Sequence, residues 1–438
     1  MKFDTDNQTL SDLNLTGKFK KASVFSVFDN VRTAEGERLL EKLFSEPLTS
    51  AADMNRRSAA FRSFSENGLV FPFDAEETDK ANSHAGTFAA ASILSMKVKE
   101  IFSGKKEYSS ALEGFTALLG VLLKLDAFLK SAPAGLEFTD GARKRFSPLL
   151  SAEIIGSARG ISGRSPDAIG MTEFLSGEKE LRKHRELISE LFDFIWKLDV
   201  LISVGNTARE RCFCYAEATE GENEFIDIRA VRHPSLKNPV PNDFRVDSEH
   251  NLFFLTGVNM AGKSTFMKAV SIAVYLAHAG FPVPADSMTF TPLDGMFTSV
   301  NLSDNLSLGY SHFYAEVMRV KNIALKVSAG ERLFIVFDEL FKGTNVKDAY
   351  EATLAVTEAF AAHRHCLFMI STHITEVGQA LAEKAEKAVF RCLNSSLENG
   401  RPVYTYTLED GISAERRGMD IIRAEHILEA IAGKEDAE

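Results

Sequence analysis

Cysteine is scarce. Four thiols, Cys212, Cys214, Cys366 and Cys392, are spread over 438 residues. So few cannot form the disulfide framework of a small secreted scaffold, and all four read as reduced thiols. The Cys212-Phe213-Cys214 pair lacks the second cluster that a metal site needs. Long apolar runs are also missing. The best stretch, 269–285, is broken by His278, Gly280, Pro282 and Pro284, and a membrane helix needs about 18 uninterrupted apolar residues. No membrane partner is expected. The opening residues, Met1-Lys2-Phe3-Asp4-Thr5-Asp6, are too acidic for a secretory leader, so a cytoplasmic location is expected. Positive charge is in deficit: 50 Lys and Arg against 61 Asp and Glu leave a net charge of −11. That excludes a simple cationic coat for nucleic acid but leaves room for a local basic face. Internal repeats and low-complexity tracts are absent.

What is present divides the chain near residue 220. Residues 1–220 read as helical. Phe25, Phe28, Leu39, Leu40, Leu43 and Phe44 recur at helical spacing, residues 111–130 form a second helical run, and Leu187, Leu191, Phe194, Ile195, Leu198, Leu201, Ile202 and Val204 stripe a third, over 178–215. Residues 67–86 and 132–170 carry Gly, Pro, Ser and charge, and read as loops or a small excursion. From 221 to 438 short apolar strands alternate with helices: Phe225 to Ile228, Leu252 to Leu255, Leu333 to Phe337, Leu367 to Ile370, and a last strand around Tyr404-Thr405-Tyr406-Thr407, followed by a helix over 419–432. That alternation predicts an α/β domain with a mostly parallel sheet, preceded by an all-α domain.

Residues 257–265 read Gly-Val-Asn-Met-Ala-Gly-Lys-Ser-Thr, the G-x-x-x-x-G-K-[ST] pattern of a phosphate-binding loop. The context is right: the apolar run Leu252-Phe253-Phe254-Leu255 precedes it and a helix opens after it. Gly257 and Gly262 let the backbone curl so that amides converge on phosphate oxygens, and the helix N-terminus adds its positive dipole end. Lys263 can reach the β- and γ-phosphates of ATP, and the Ser264 hydroxyl can sit on Mg²⁺. Thr265, Ala261, Met260 and Asn259 complete the loop. Downstream, Leu333 to Phe337 run into Asp338-Glu339, four or more apolar residues ending in two carboxylates. Asp338 is placed to hold Mg²⁺, and Glu339 to orient or deprotonate the attacking water. A second carboxylate favours hydrolysis over transfer to another substrate. The next apolar strand ends at Ser371-Thr372-His373, which puts His373 near the γ-phosphate as a sensor. Glu339, His373 and Lys263 are therefore the candidate catalytic residues.

These motifs together resemble the MutS mismatch-repair ATPase family across nearly the whole chain. The loop Thr256 to Thr265, with the telling Asn259-Met260 dipeptide, is similar to the family's phosphate loop; Gly280-Phe281-Pro282-Val283-Pro284-Ala285 is similar to Gly-x-x-Val-Pro-Ala. Residues 304–316 resemble the family's signature loop, Asp338-Glu339 with Lys342-Gly343-Thr344 its Asp-Glu-x-x-x-Gly-Thr, and Ser371-Thr372-His373 its Ala-Thr-His. Arg232-His233-Pro234 stands where the family enters its ATPase domain. Ser26-Val27-Phe28-Asp29, Thr33-Ala34 and Lys197-Leu198-Asp199-Val200-Leu201 are similar to the family's helical core and lever. The resemblance implies an ABC-type P-loop ATPase fold and a homodimer with a composite site, in which Ser311 of one copy touches the γ-phosphate held by the other. It also implies a C-terminal helical dimerisation segment, and DNA and repair proteins as partners. Asn242 falls in the stretch expected to contact adenine.

Departures from the family pattern point elsewhere. Residues Thr9 to Leu13 already read as the start of the core, so the family's reader and connector domains are expected to be missing. A reduced DNA clamp over 132–170, with Arg143-Lys144-Arg145, is one reading of that stretch; a solvated loop is the other. Val258, Ala261, Lys342 and Asn345 replace the usual residues, residues 238–242 lack the expected Phe, and Arg416-Arg417-Gly418 replaces Ser-Tyr-Gly. Three functions stay open: an ATP-hydrolysing DNA-binding protein acting on mismatched, branched or plain duplex; an ATP-switched dimeric regulator of a protein partner without DNA; and a transporter-type or chromosome-maintenance-type ATPase, which Leu306-Ser307-Leu308-Gly309 only partly resembles.

Overall fold

A computed structural model describes residues 2–17, 23–89, 105–165, 168–258, 260–300, 312–384, 387–398, 401–413 and 427–431. The chain folds into two compact units: Met1–Val27, Leu43–Ala59 and Ala208–Glu438 form one, Phe28–Lys42 and Ala60–Thr207 the other. The division therefore does not fall at a single point near residue 220.

The second unit is helical. Helix Lys105–Ser131 supplies Leu112, Phe115, Leu118, Leu122, Leu125 and Leu129 to its core. Ile188, Leu191, Phe192, Ile195, Leu198 and Ile202 come from Arg185–Glu210, and their three- and four-residue spacing puts them on one face. The expected single run over 178–215 is instead two helices, Met171–Arg182 and Arg185–Glu210, separated by a turn in which the amides of Lys183 and His184 bond back to Glu180 and Leu181. Both stretches expected as loops or a small excursion contain helices. Asp74 caps Ala75–Gly86 by accepting from the Glu77 amide. Residues 132–170 contain Glu137–Arg145 and Ala152–Ile161. Ala142, Phe146, Leu149, Ile154, Ile155, Ala158 and Ile161 enter the core there, a burial pattern that outweighs the low helix propensity of the intervening glycines.

The first unit holds two sheets. Strands β1 (Glu217–Ala218), β2 (Phe225–Val231), β3 (Asn242–Asp247) and β5 (Ser287–Phe290) form a four-stranded sheet in the order β1-β5-β2-β3. Strands β4 (Leu252–Gly257), β6 (Gly295–Ser299), β7 (Leu333–Asp338), β8 (Leu367–Ser371), β9 (Ala388–Glu398) and β10 (Arg401–Asp410) form the other, ordered β10-β9-β4-β8-β7-β6. Every pairing in the larger sheet is parallel except β9 with β10. The predicted strand at Phe225 to Ile228 belongs to the smaller sheet, and β3, β5, β6 and β9 add to the strands read from sequence. Strands β4, β7 and β8 are buried at every position, as expected where both faces of a parallel sheet are covered. Helix Lys263–His278 is buried over most of its length. It stops at Gly280, whose φ is +70°; the Phe281 and Gly280 amides bond back to Leu276 and Ala277, a Schellman-type stop. A Cβ on Gly280 would meet the Arg57 side chain at 3.0 Å. The Gly-x-x-Val-Pro-Ala motif thus begins as a helix stop. Among the described residues no helix is long and apolar enough to cross a membrane.

Candidate functional site

The C-terminal ends of β4, β7 and β8 gather the residues singled out from the sequence. Strand β4 ends on Gly257 at φ +146°, where a Cβ would lie 2.5 Å from the Leu393 carbonyl oxygen. Two constraints, dihedral and space, therefore demand glycine there. Met260 at φ +70° and Gly262 at φ +99° carry the chain round into the helix. Met260 is exposed, Ala261 buried, and Ser264 and Thr265 lie in the exposed first turn. Asn259 lies outside the described residues.

Lys263 is buried, and its Nζ donates to the carbonyls of Gly257 (2.8 Å) and Val258 (3.2 Å). Burial pushes its ammonium below the usual lysine range, partly countered by the negative charges of Glu339 and Asp338. The ammonium is thus held inside the loop by weak carbonyl acceptors that an anionic ligand can replace. The Ser264 hydroxyl donates to Asp338 Oδ2, and the Ser371 hydroxyl to Asp338 Oδ1. Strand register explains the second contact, because Asp338 on β7 stands opposite Ser371 on β8. A hydroxyl and a carboxylate in contact form a hard oxygen donor set suited to Mg²⁺.

Glu339 has φ +56°, and its amide donates to the Ser371 carbonyl at 3.0 Å. Its carboxylate is 3.9 Å from His373 Nδ1, and the His373 side chain is about half exposed. Phe341, at φ +61°, donates its amide to Glu316 Oε1 at 2.8 Å. Glu316, the last residue of the signature motif, is buried on helix His312–Ser328 and so ties that helix to the loop after Asp338. Ser311 and residues 301–310 of the signature loop lie outside the described residues, as do Arg416-Arg417-Gly418.

Asn242 is placed beside the site in a different capacity. Its Nδ2 donates to the Tyr406 carbonyl (2.9 Å) and its Oδ1 accepts from the Leu408 amide (2.8 Å). It thereby clamps the irregularity in β10 between Tyr404 and Leu408. Tyr406 itself, at φ +57° and half exposed, holds its ring 3.0 Å from where a Gly262 Cβ would lie. In the sequence this tyrosine reads only as a strand residue. The alternation Tyr-Thr-Tyr-Thr was its one signal, and its proximity to the phosphate loop depends on strand order. Arg232 pairs with Asp286 at 2.8 Å, and burial lowers the His233 pKa, helped by nearby Lys268. The Cys214 thiol is pushed up to about 11 by burial, which makes it unreactive.

The basic triplet is differently engaged. Arg143 donates Nε to the Leu129 carbonyl at 2.8 Å and another nitrogen to that of Ala132, and pairs with Asp140. Arg145 grips Glu190 with two bonds, at 2.7 and 2.6 Å.

Comparison with known proteins matches residues 253–435 to the family model described as MutS domain V. Proteins named "DNA mismatch repair protein MutS" are similar over wider spans. The one from Geobacillus sp. (strain WCH70) is 30% identical over 257 residues, covering 57% of this chain and 29% of its own. The one from Pseudothermotoga lettingae is 29% identical, covering 58% of this chain and 32% of its own. The one from Leuconostoc mesenteroides is 25% identical and covers 88% of this chain and 56% of its own length. The chain thus spans from under a third to just over half of the curated relatives it matches.

Proposed function

The chain belongs to the MutS family, and we propose on that footing that it is an ATPase of ABC type that hydrolyses Mg²⁺-ATP and uses the cycle to switch its grip on DNA. The observation that carries this reading is the convergence of Lys263, Ser264, Asp338, Glu339 and His373 at the ends of three adjacent parallel strands. The amides of 258–263 and the Lys263 ammonium would bind the phosphates. Ser264 and Asp338 would hold Mg²⁺, with Ser371 fixing the second carboxylate oxygen. The bound cation would neutralise charge developing on the phosphates. Glu339 would take the proton of the attacking water, and His373, within reach of it, would orient the γ-phosphate. The exposed ring of Tyr406 beside Gly262 would offer adenine a stacking face, with Asn242 holding the backbone that carries it.

In this reading two copies pair, with Ser311 acting across the interface, and the paired state is the one ATP favours. DNA, mismatched, branched or plain duplex, is the proposed client, with the helical unit carrying the nucleotide state to it. The test is ATP hydrolysis by the purified chain. Turnover should require Mg²⁺, vanish in Lys263→Ala and fall in Glu339→Gln while ATP stays bound. Turnover unchanged in both variants would overturn the site assignment.

One observation favours a second reading, an ATP-switched regulator of a protein partner. Two of the three triplet cations are spent inside the helical unit, and that unit carries 21 Lys and Arg against 24 Asp and Glu, a net of −3. ATP-dependent pull-downs that survive nuclease treatment would support it.

A further inference from the structure

The N-terminal residues do something that neither the phosphate loop nor the strand pattern calls for. Asp4 runs parallel to β6 and adds to the sheet edge: its amide donates to the Asp294 carbonyl (2.8 Å) and its carbonyl accepts from the Met296 amide (2.9 Å). Gly295 permits this approach, since a Cβ there would lie 2.4 Å from the Asp4 oxygen. The contacts then concentrate on the end of the strand. Thr9 Oγ1 accepts from the Thr298 amide at 3.0 Å. Asp12, almost fully buried, accepts from the Thr298 hydroxyl (2.8 Å) and the Val300 amide (2.9 Å). Arg319, on helix His312–Ser328, donates Nε to the Thr298 carbonyl at 3.0 Å and pairs with Asp6 at 2.8 Å. The amide, carbonyl and hydroxyl of Thr298 are therefore all held.

Simple protection of an edge strand needs no buried carboxylate, and burying one is costly unless its bonds are used for something specific. Here the register says what. Thr298 stands opposite Val336 and Ser299 opposite Phe337 on β7, one residue short of Asp338. We propose that the N-terminal segment 3–12 is a buttress for the end of β6, with Asp12 and Arg319 as positioning residues that set the neighbouring β7 carboxylates for ATP hydrolysis. This rests on the nucleotide reading of Asp338 and Glu339. The phosphate loop hangs on β4, separated from β7 by β8, and touches Asp338 through the Ser264 hydroxyl, so the buttress governs turnover more than the hold of Lys263 and the loop amides on the phosphates. A shift of about 1 Å at a carboxylate can cost on the order of a hundredfold in rate, whereas phosphate contacts two strands away are little disturbed.

The test compares Asp12→Ala and Thr298→Val with the unmodified full chain. Three quantities are read: kcat for ATP, Kd for a fluorescent ATP analogue, and hydrogen exchange at residues 298–300 and 336–339. The expected result is a kcat about tenfold lower, Kd within about twofold, and faster exchange at both sites. The double variant should be no slower than Asp12→Ala alone, since both act through one contact. Thr298→Val, nearly isosteric, carries the test if Asp12→Ala does not fold. Wild-type kcat with unchanged exchange overturns the buttress, and so does a parallel loss of kcat and analogue affinity. If the unmodified chain binds no nucleotide, the ATPase reading fails, and exchange at 336–339 alone then decides whether the buttress stands.

Discussion

Burial lowers the Lys263 pKa, and the carbonyls that accept from its ammonium do not match the acceptor strength of phosphate. Lys263→Ala should weaken ATP binding by at least about a hundredfold, as charge-assisted bonds are worth ~1.5–3 kcal/mol each; equilibrium binding of a fluorescent analogue reads this. Glu339→Gln should keep ATP bound and slow hydrolysis by about 10² to 10⁴, measured as single-turnover rate. His278 gives a pH prediction. Burial drives its pKa down to about 4, against weaker raising effects of the Val274 carbonyl and Asp294, and its Nε2 accepts from the Leu293 amide at 3.0 Å. The fold holds the neutral ring, whereas the unfolded chain protonates near pH 6.5. Stability is therefore full above pH 6.5 and falls as pH drops toward 4, by on the order of 3 kcal/mol. Urea midpoints across that window should show the loss, and His278→Gln should flatten it. Among single residues, Gly257, Gly262, Lys263, Ser264 and Asp338 are legible as candidates from local spacing, because the pattern that marks each lies among its neighbours in the chain. Ser371 as an Asp338 partner, Tyr406 over Gly262 and Asn242 as a clamp could not, because each depends on which strands lie side by side.

At the scale of helices and strands, glycines sort by what surrounds them. Gly205, on Arg185–Glu210, faces the backbone of helix Ala51–Asn67: a Cβ would stand 2.8 Å from the Ser65 amide nitrogen and 3.1 Å from Phe64. Gly205→Ala should force the pair apart and cost ~1–3 kcal/mol. Gly156, on Ala152–Ile161, has nothing within 4 Å of that position. Gly156→Ala should stabilise by up to ~1 kcal/mol through helix propensity. Chemical denaturation of the two variants checks the contrast; equal effects would mean that helix propensity, not contact, governs both. The same physics explains what could be read at this scale. Strands β4, β7 and β8 announce themselves because burial on both faces makes all but their C-terminal ends a continuous apolar run. Helices Glu137–Arg145 and Ala152–Ile161 were hidden because Gly, Ser and Pro between their few apolar anchors imitate a loop, and only packing against Lys105–Ser131 reveals those anchors. Strands β5 and β6 are short, and their place in a sheet comes from long-range pairing.

For the whole molecule, the division into a helical part and an α/β part was visible in the change of apolar period. That Met1–Val27 and Leu43–Ala59 pack with the α/β unit was not, since nothing local distinguishes those helices from their neighbours. Charge makes the last prediction. Affinity for duplex comes chiefly from cations that release counterions on meeting phosphates. In the helical unit Arg143 secures helix-end carbonyls and Arg145 is committed to Glu190, so neither is available without breaking an internal contact. Replacing both with alanine should therefore change duplex affinity in the presence of ATP by less than about twofold, and leave the slope of log K against log salt within one phosphate's worth, about 0.9. The same double variant should lower the unfolding midpoint, because the carbonyls of Leu129 and Ala132 lose their donor. Filter binding at several salt concentrations, run beside denaturation, separates the outcomes. A tenfold fall in affinity with a shallower salt slope would mean that these guanidiniums leave their partners for phosphate, and would place the DNA contact on helix Glu137–Arg145. Unchanged binding with reduced stability would assign both arginines to the fold.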